Sequence, residues 1–218
     1  MNVIVVGVGR LGSQFAQALA STSHTVTVVD IDEAHLATVG ARAQVRPVLG
    51  DACEPFILEE AGVLVADLLV ASTGDDEDNL VISLLAKRQF AVPRVAARVN
   101  DPDNAWLFDD HWGVDVAVSA GATLMSLIEE GTGATDTVGL LRLTHAGVNL
   151  IETVIRPRSK MVDRPLGDVR LPPGSVVAAV IRAGRPAVPD ASYLLRADDE
   201  VLVVAQTAGQ QEIDYAFQ

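Results

Sequence analysis

The segment Gly7-Val8-Gly9-Arg10-Leu11-Gly12 has the residue types and spacing most suggestive of chemistry in this 218-residue chain. It reads G-x-G-x-x-G, follows the apolar run Asn2-Val3-Ile4-Val5-Val6, and opens a stretch of helical periodicity, the setting that gives the motif meaning. In such a loop Gly7 permits a tight turn, Gly9 lets the backbone approach a pyrophosphate, and Gly12 allows the helix to pack closely on the sheet. Val8, Arg10 and Leu11 complete the loop. The helix that follows offers unpaired N–H groups and a positive dipole end to an anion. Asp30 stands 18 residues beyond Gly12, where the next apolar run ends. A carboxylate there accepts hydrogen bonds from ribose hydroxyls and repels a 2′-phosphate, which favours NAD(H) or an adenine nucleotide over NADP(H).

Other polar positions follow strand-like runs and so belong to the same edge of a sheet. Asp51 and Ala52 come after the third run and are placed to flank an adenine. Thr73 and Gly74 come after the fourth, near the glycine loop, although Thr73, Asp75 or Asp76 is equally suited to capping the helix expected at 77–90. Arg98 lies inside an apolar run and needs a partner, which a phosphate or a structural carboxylate would supply. Arg10 has three readings: a terminal phosphate, a neighbouring subunit or solvent.

Catalytic equipment is sparse. The histidines His24, His35, His111 and His145 have no evident partner in the sequence, and each reads as a surface or capping residue. No serine sits in a nucleophile elbow, and no His/Cys/Asp spacing suggests a metal site. Cys53 is the only cysteine, with no basic residue nearby to activate it, and reads as an inert thiol. The run Asp75-Asp76-Glu77-Asp78 reads as the acidic start of a helix. A nucleotide site without an acid or base beside it suggests sensing: ligand occupancy that shifts a conformational equilibrium.

These residues require a scaffold of alternating strands and helices. Near-continuous apolar runs place strands at 2–7, 25–30, 45–49, 67–72, 94–99 and 114–118, with helices near 10–21, 32–41, 54–61, 77–90, 103–112 and 120–130. That rhythm is α/β, a Rossmann-like doubly wound parallel sheet spanning residues 1–130. A small-residue linker at 131–136 leads to a different pattern. Strands are expected at 138–143, 149–155, 176–181 and 200–205, with short helices at 166–169 and 208–217, making a small α+β domain at 137–218. Both tryptophans and Phe108 fall within 106–112. With Phe108 and Trp112 at i, i+4 on the expected helix, this is either a subunit-contact patch or packing against the chain's own sheet.

The net charge of −13 argues against a nucleic-acid partner, which calls for a basic footprint. No apolar run approaches the ~20 residues of a membrane helix, and the N-terminus does not read as a signal peptide, so a soluble cytoplasmic protein is expected.

Taken together, the glycine loop, Asp30, Gly50-Asp51-Ala52, the Thr73–Asn79 stretch TGDDEDN and Ala97-Arg98-Val99-Asn100-Asp101-Pro102 resemble the RCK (KTN, TrkA-N) domain. The segment 137–218, with Leu166-Gly167-Asp168-Val169-Arg170-Leu171-Pro172-Pro173-Gly174 and Asp198–Ala205, resembles the TrkA-C domain that usually follows it. The resemblance implies a cytoplasmic regulatory subunit of a Trk/Ktr potassium uptake system, peripheral to the membrane through a membrane-embedded potassium-translocating subunit. It implies a homodimer assembling to a tetramer or octameric ring, with NAD(H) or ATP/ADP as regulatory ligand. Gly7, Val8, Gly9, Arg10 and Leu11 match the family's phosphate loop, Asp30 its ribose carboxylate, and Thr73, Gly74 and Arg98 its further nucleotide contacts. One departure stands out. Where many members read Pro-Glu after the sixth strand, with the Glu helping to hold an intersubunit cation, this chain reads Ser119-Ala120-Gly121, so that cation site is not expected. Some relatives bind a cyclic dinucleotide on the TrkA-C domain, and no residue pattern here identifies such a pocket. The competing functions are a small NAD-dependent oxidoreductase and an RCK-like ligand sensor for another transporter.

Overall fold

A computed structural model describes residues 1–133, 135–143 and 147–218, with the side chains of residues 130, 142 and 143 excepted. The expected turn around His145 and the Ala134 position of the linker lie outside the described residues. The chain forms two compact units, Met1–Gly121 and Ala122–Gln218.

The first unit is built on β1 (Asn2–Val6), β2 (Thr25–Asp30), β3 (Arg46–Leu49), β4 (Leu68–Ala71), β5 (Arg94–Arg98) and β6 (Val116–Val118). All pair in parallel, in the order β3-β2-β1-β4-β5-β6. Helices α1 (Arg10–Ala20) and α2 (Glu33–Gly40) cover one face, while α3 (Pro55–Glu60) and α4 (Asp76–Leu84) cover the other. Covering both faces explains the unbroken apolar strands. In β1, Val3 and Val5 pack into the core under α1 and α2, while Ile4 and Val6 pack into the core under α3 and α4. The strand order reverses between β1 and β4. A doubly wound sheet opens its binding crevice at such a switch point, beyond the carboxyl ends of the strands.

Two expectations for this unit change. The α-helix expected at 103–112 is instead a pair of 3₁₀ turns, Pro102–Leu107 and Asp110–Trp112. Asp101 caps the first through the Asp103 amide, and Asp109 accepts from the amides of His111 and Trp112, starting the second. Such short-range side-chain bonds compete with a continuous helix. Phe108 breaks the run between them, so the helical i, i+4 face does not form. Phe108 is buried in the core with Trp112 packed beside it, and Trp106 alone is exposed, at 76 %. Likewise, the helix expected at 77–90 is α-helical only to Leu84 and then widens into a π-helical turn, Leu85–Gln89.

The second unit contains an antiparallel sheet in the order β10-β9-β11-β8-β7, formed by β7 (Thr137–Leu143), β8 (Val148–Val154), β9 (Ser175–Arg182), β10 (Arg185–Ala187) and β11 (Glu200–Ala205). Helix α6 (Gln210–Phe217) seats Ile213 and Phe217 against Ile151, Ile155, Val201 and Val203. Along β11 burial alternates with period two, as it must when one face of a sheet meets the core. Strand β10 was not expected, because Pro186 reads as a turn residue. It is an edge strand paired only with β9, where a missing N–H is tolerated. Helix α5 (Ala120–Thr132) runs across the boundary between the units and leaves Leu124, Met125, Leu127 and Ile128 exposed. No described helix is long and apolar enough to cross a membrane.

Candidate functional site

The glycine loop packs directly against the turn after β4. Gly7 has φ +77°, and a Cβ there would stand 2.6 Å from the Thr73 amide nitrogen. At Gly12 a Cβ would stand 2.0 Å from the Gly7 carbonyl oxygen and 2.6 Å from Ser72 Oγ. Both glycines are therefore required by the fold itself. Gly9 differs: nothing lies within 4 Å of where its Cβ would be, so no contact within the protein calls for a glycine there. The absent side chain leaves room for something other than this chain.

Helix α1 starts at the same place and has no side-chain cap at Gly9. By contrast, the Asp32 carboxylate caps α2 through the Ala34 amide, and Asp75 caps α4 through the Asp78 amide. The first-turn amides of α1 are thus left for a ligand, with the helix dipole behind them.

Asp30, 8 % exposed, reaches back from the end of β2 under this loop. Its Oδ2 accepts from the Val8 amide at 2.7 Å and its Oδ1 from the Asp32 amide at 2.9 Å. Each carboxylate oxygen carries two acceptor sites, so Oδ2, with the Val8 amide as its close donor, retains capacity for a ribose hydroxyl. His35 Nδ1 lies 3.4 Å from the same carboxylate, giving that histidine a partner the sequence did not reveal. The signal was its place in the first turn of α2, five residues after Asp30. His111 is also partnered, with Asp109 at 3.1 Å, although its side chain is almost wholly exposed.

A cleft of about 650 Å³ opens at this edge of the sheet. Gly7, Gly9, Arg10, Leu11, Asp30, Asp51, Ala52, Thr73, Gly74 and Arg98 line it, joined by His35. Val8 and Gly12 are buried beneath, Val8 holding Asp30 through its amide and Gly12 holding the helix against the sheet. Thr73 is not the cap of α4; its hydroxyl donates to the Asp75 carbonyl at 2.9 Å and lies 2.8 Å from Asn79 Oδ1. Arg98 is half-buried, and among the described residues no carboxylate forms an ion pair with it or with Arg10. Of the two partners considered for Arg98, the structural carboxylate is thus not found among the described residues.

Cys53 sits beside the cleft residues Asp51 and Asp78, with its Sγ 3.6 Å from Asp78 Oδ1. Burial, reinforced by the Asp78 and Asp51 charges, pushes its thiol up to about 12. A protonated thiol is a poor nucleophile and a poor metal ligand. Among the described residues no group of three or more His, Cys, Asp and Glu side chains is arranged to hold a metal ion.

Two residues that carry the cleft's geometry were missed in the sequence, where Asp76 was read only as a helix-start residue. Asp76 and Asn79 are buried behind the cleft wall at 5 % and 0 % exposure. Asp76 accepts four hydrogen bonds, from the Asn100 and Asp101 amides and from the side chains of Asn100 and Asn104. Burial alone would raise its pKa, but those four bonds outweigh it and hold the carboxyl below the ordinary aspartate value. A second cleft of about 750 Å³ lies within the second unit, between α6 and the segment 156–170. Its cations Arg156, Lys160 and Arg170 are balanced by Asp136, Asp168 and Asp214, and Arg156 is already paired with Asp136. Its helix α6 also begins at a glycine, Gly209, but there the Glu212 carboxylate accepts from the Gly209 amide at 3.0 Å and places an acidic residue in the first turn, which α1 lacks.

The sheet, its switch-point cleft and the appended antiparallel unit define a Rossmann-like protein with a small α+β domain. Residues 3–120 match the TrkA-N domain and residues 150–217 the TrkA-C domain. The chain is 41 % identical over 213 residues to the Trk system potassium uptake protein TrkA of Mycobacterium tuberculosis, spanning 98 % of this chain and 96 % of that protein. A TrkA homolog from Methanothermobacter thermautotrophicus is 29 % identical, spanning 100 % and 99 %. The TrkA of Halomonas elongata is 31 % identical over 94 % of this chain, which spans 46 % of that protein. Among solved structures, the GsuK channel bound to NAD superposes with a TM-score of 0.60 at 16 % identity, over 100 % of this chain and 39 % of that one. The AMP-bound Kef CTD of Shewanella denitrificans superposes with a TM-score of 0.52 at 25 % identity, over 62 % of this chain and 79 % of that one. The chain belongs to the TrkA family, with a TrkA-N domain followed by a TrkA-C domain.

Proposed function

We propose that this protein is a cytoplasmic, nucleotide-sensing regulatory subunit that gates a potassium transporter. The observation that carries the reading is the cleft at the switch point. There an uncapped helix N-terminus, a glycine whose missing side chain would meet nothing in the protein, two arginines without ion-pair partners among the described residues and the Asp30 carboxylate converge. The first three suit a phosphate or pyrophosphate and the last a ribose. In this reading Gly7, Val8, Gly9, Arg10, Leu11 and Gly12 form the phosphate loop. Asp30 binds the ribose, Asp51 and Ala52 flank the adenine, and Thr73, Gly74 and Arg98 meet the far end of NAD(H) or the terminal phosphates of ATP or ADP. The NAD-bound GsuK channel and the AMP-bound Kef CTD share the fold and support a nucleotide as the ligand.

The names of the full-length relatives support potassium uptake as the process and a membrane-embedded Trk/Ktr-type subunit as the partner. The protein acts as a homodimer that assembles further, to a tetramer or octameric ring. The exposed apolar side chains of α5 and the exposed Trp106 favour such assembly. The role is regulatory rather than catalytic. His35 lies at the ribose carboxylate, on the β2 side of the cleft, where it has no reacting ring to serve. The test is potassium flux into vesicles holding the membrane subunit, with and without this protein and with NAD+, NADH, ATP or ADP. Flux that responds to the protein and changes again with nucleotide is the expected result. Flux indifferent to both overturns the reading.

A further inference from the structure

The β4–β5 ladder ends at the Ala71–Ala97 pair, and Thr73 and Arg98, which line the cleft, lie just past it, Arg98 being paired only with Val118 of β6. Asn79 replaces the ladder. Its Oδ1 accepts from the Thr73 amide at 2.9 Å and lies 2.8 Å from the Thr73 hydroxyl, while its Nδ2 donates to the Arg98 carbonyl at 3.0 Å. One buried amide thus uses both its acceptor and its donor to tie two strand ends together. Asp76, one turn earlier on α4, fixes the chain that continues from Arg98. It accepts from the Asn100 amide at 2.7 Å, Asn100 Nδ2 at 3.0 Å, the Asp101 amide at 3.0 Å and Asn104 Nδ2 at 3.0 Å. Asn100 Nδ2 also donates to the Thr73 carbonyl at 3.3 Å, closing the network. Neither Asp76 nor Asn79 lines the cleft itself.

We infer that Asn79 and Asp76 are positioning residues that set the β4–β5 side of the cleft, and that they make the site favour nucleotides long enough to reach that side, such as NAD+, over AMP. The inference rests on the nucleotide reading above and deepens it. In the order β3-β2-β1-β4-β5-β6, Asp30 ends β2 and the glycine loop follows β1, so an AMP moiety is held on that side. A ligand long enough to pass β4 reaches Thr73 and Arg98. Only its second half reads the alignment that Asn79 and Asp76 impose. Preorganised contacts of this kind contribute affinity by lowering the ordering cost on binding.

The experiment is calorimetric titration of the full chain with AMP and with NAD+, on wild type, Asn79→Asp, Asp76→Asn and Asn104→Ala. Asn79→Asp keeps the acceptor for Thr73 but turns a carboxylate oxygen toward the Arg98 carbonyl. Asp76→Asn points an amide donor at other donors. Each is expected to weaken NAD+ by about tenfold or more while changing AMP by less than about threefold. Asn104→Ala removes one of the four bonds to Asp76 and gives a smaller loss with the same sparing of AMP. Because Asn104 is only half-buried, that variant carries the test should Asn79→Asp not fold. Equal losses for the two ligands would indicate general loosening and overturn the inference, as would variants that bind NAD+ like wild type. Wild type that binds AMP but not NAD+ overturns it too. Wild type that binds neither ligand overturns the nucleotide reading itself, and this inference with it.

Discussion

In the first unit the buried carboxylates Asp30 and Asp76 take their hydrogen bonds from backbone amides and asparagine side chains. Arg10 and Arg98 at the cleft are left without an ion pair among the described residues. In the second unit three arginines are engaged: Arg156 with Asp136, Arg164 with Asp168, and Arg182 with the fully buried Asp199. The Arg182 guanidinium holds Asp199 at 2.7 Å through both Nε and Nη2, reaches the Leu194 carbonyl at 2.8 Å and lies over the Tyr193 ring. The same residue types thus serve opposite ends. Paired inside the second unit, an arginine locks a scaffold. Unpaired at the rim of the first, it keeps its charge available to an anion.

Removing Asp199 is the harshest way to break this contrast. Asp199→Ala leaves the Arg182 charge and the Arg196 amide without their acceptor, and is expected to destabilise the second unit by about 3 kcal/mol in chemical denaturation. A loss below about 1 kcal/mol would mean the pair is not a lock. The pH response has a defined sign. Burial would raise the Asp199 pKa, but hydrogen bonds and charge from Arg182, with the Arg196 amide, outweigh it and lower it. The unfolded carboxyl titrates near the ordinary value of about 3.9, so the stabilisation is complete above that value and is lost as pH falls through the lower folded one. Wild type is therefore expected to lose stability in acid more steeply than Asp199→Ala, while between about pH 5 and 8 the contribution of this group is full and constant.

The glycine loop sharpens the comparison at intermediate scale. Gly12→Ala forces a methyl group into the Gly7 carbonyl and is expected to destabilise the first unit by about 1–3 kcal/mol. Gly9→Ala places the methyl where the protein has no atoms, so stability should move by less than about 0.5 kcal/mol while nucleotide affinity falls. Equal thermal shifts for the two variants would contradict the assignment of Gly9 to a ligand. The smallest effect concerns Cys53. With its thiol near 12, it should resist alkylation at pH 8 in the native protein and react fully once unfolded. Rapid native labelling would mean that the Asp51–Asp78 side of the cleft is less acidic or more open than described.

Much of this was legible because the parallel sheet writes itself plainly into sequence. Strands buried on both faces become apolar runs, and the loop that must pass close to Thr73 and Ser72 becomes a string of glycines. The residues placed along the cleft from sequence lie at or just after strand ends. Some less legible features depend on bonds between residues distant in sequence. Nothing local distinguishes Asp76 from its acidic neighbours, since its partners lie 24 to 28 residues away. His35 gains a partner only because α2 folds back over the end of β2. The 103–112 segment failed as a helix because Asp109 bonds its own following amides, a contest that periodicity alone does not register. Strand β10 was hidden by Pro186, whose tolerance depends on being at an edge.

The central claim is that the first unit's cleft holds a nucleotide with its ribose on Asp30. Calorimetric titration of NAD+, AMP and ATP into wild type and Asp30→Ala tests it most directly, with thermal melts to confirm that both fold. Binding by wild type, weakened in Asp30→Ala by about 1–3 kcal/mol for every ligand that carries the adenosine ribose, is the predicted result. Undiminished affinity in the folded variant, or no binding by wild type, would contradict it.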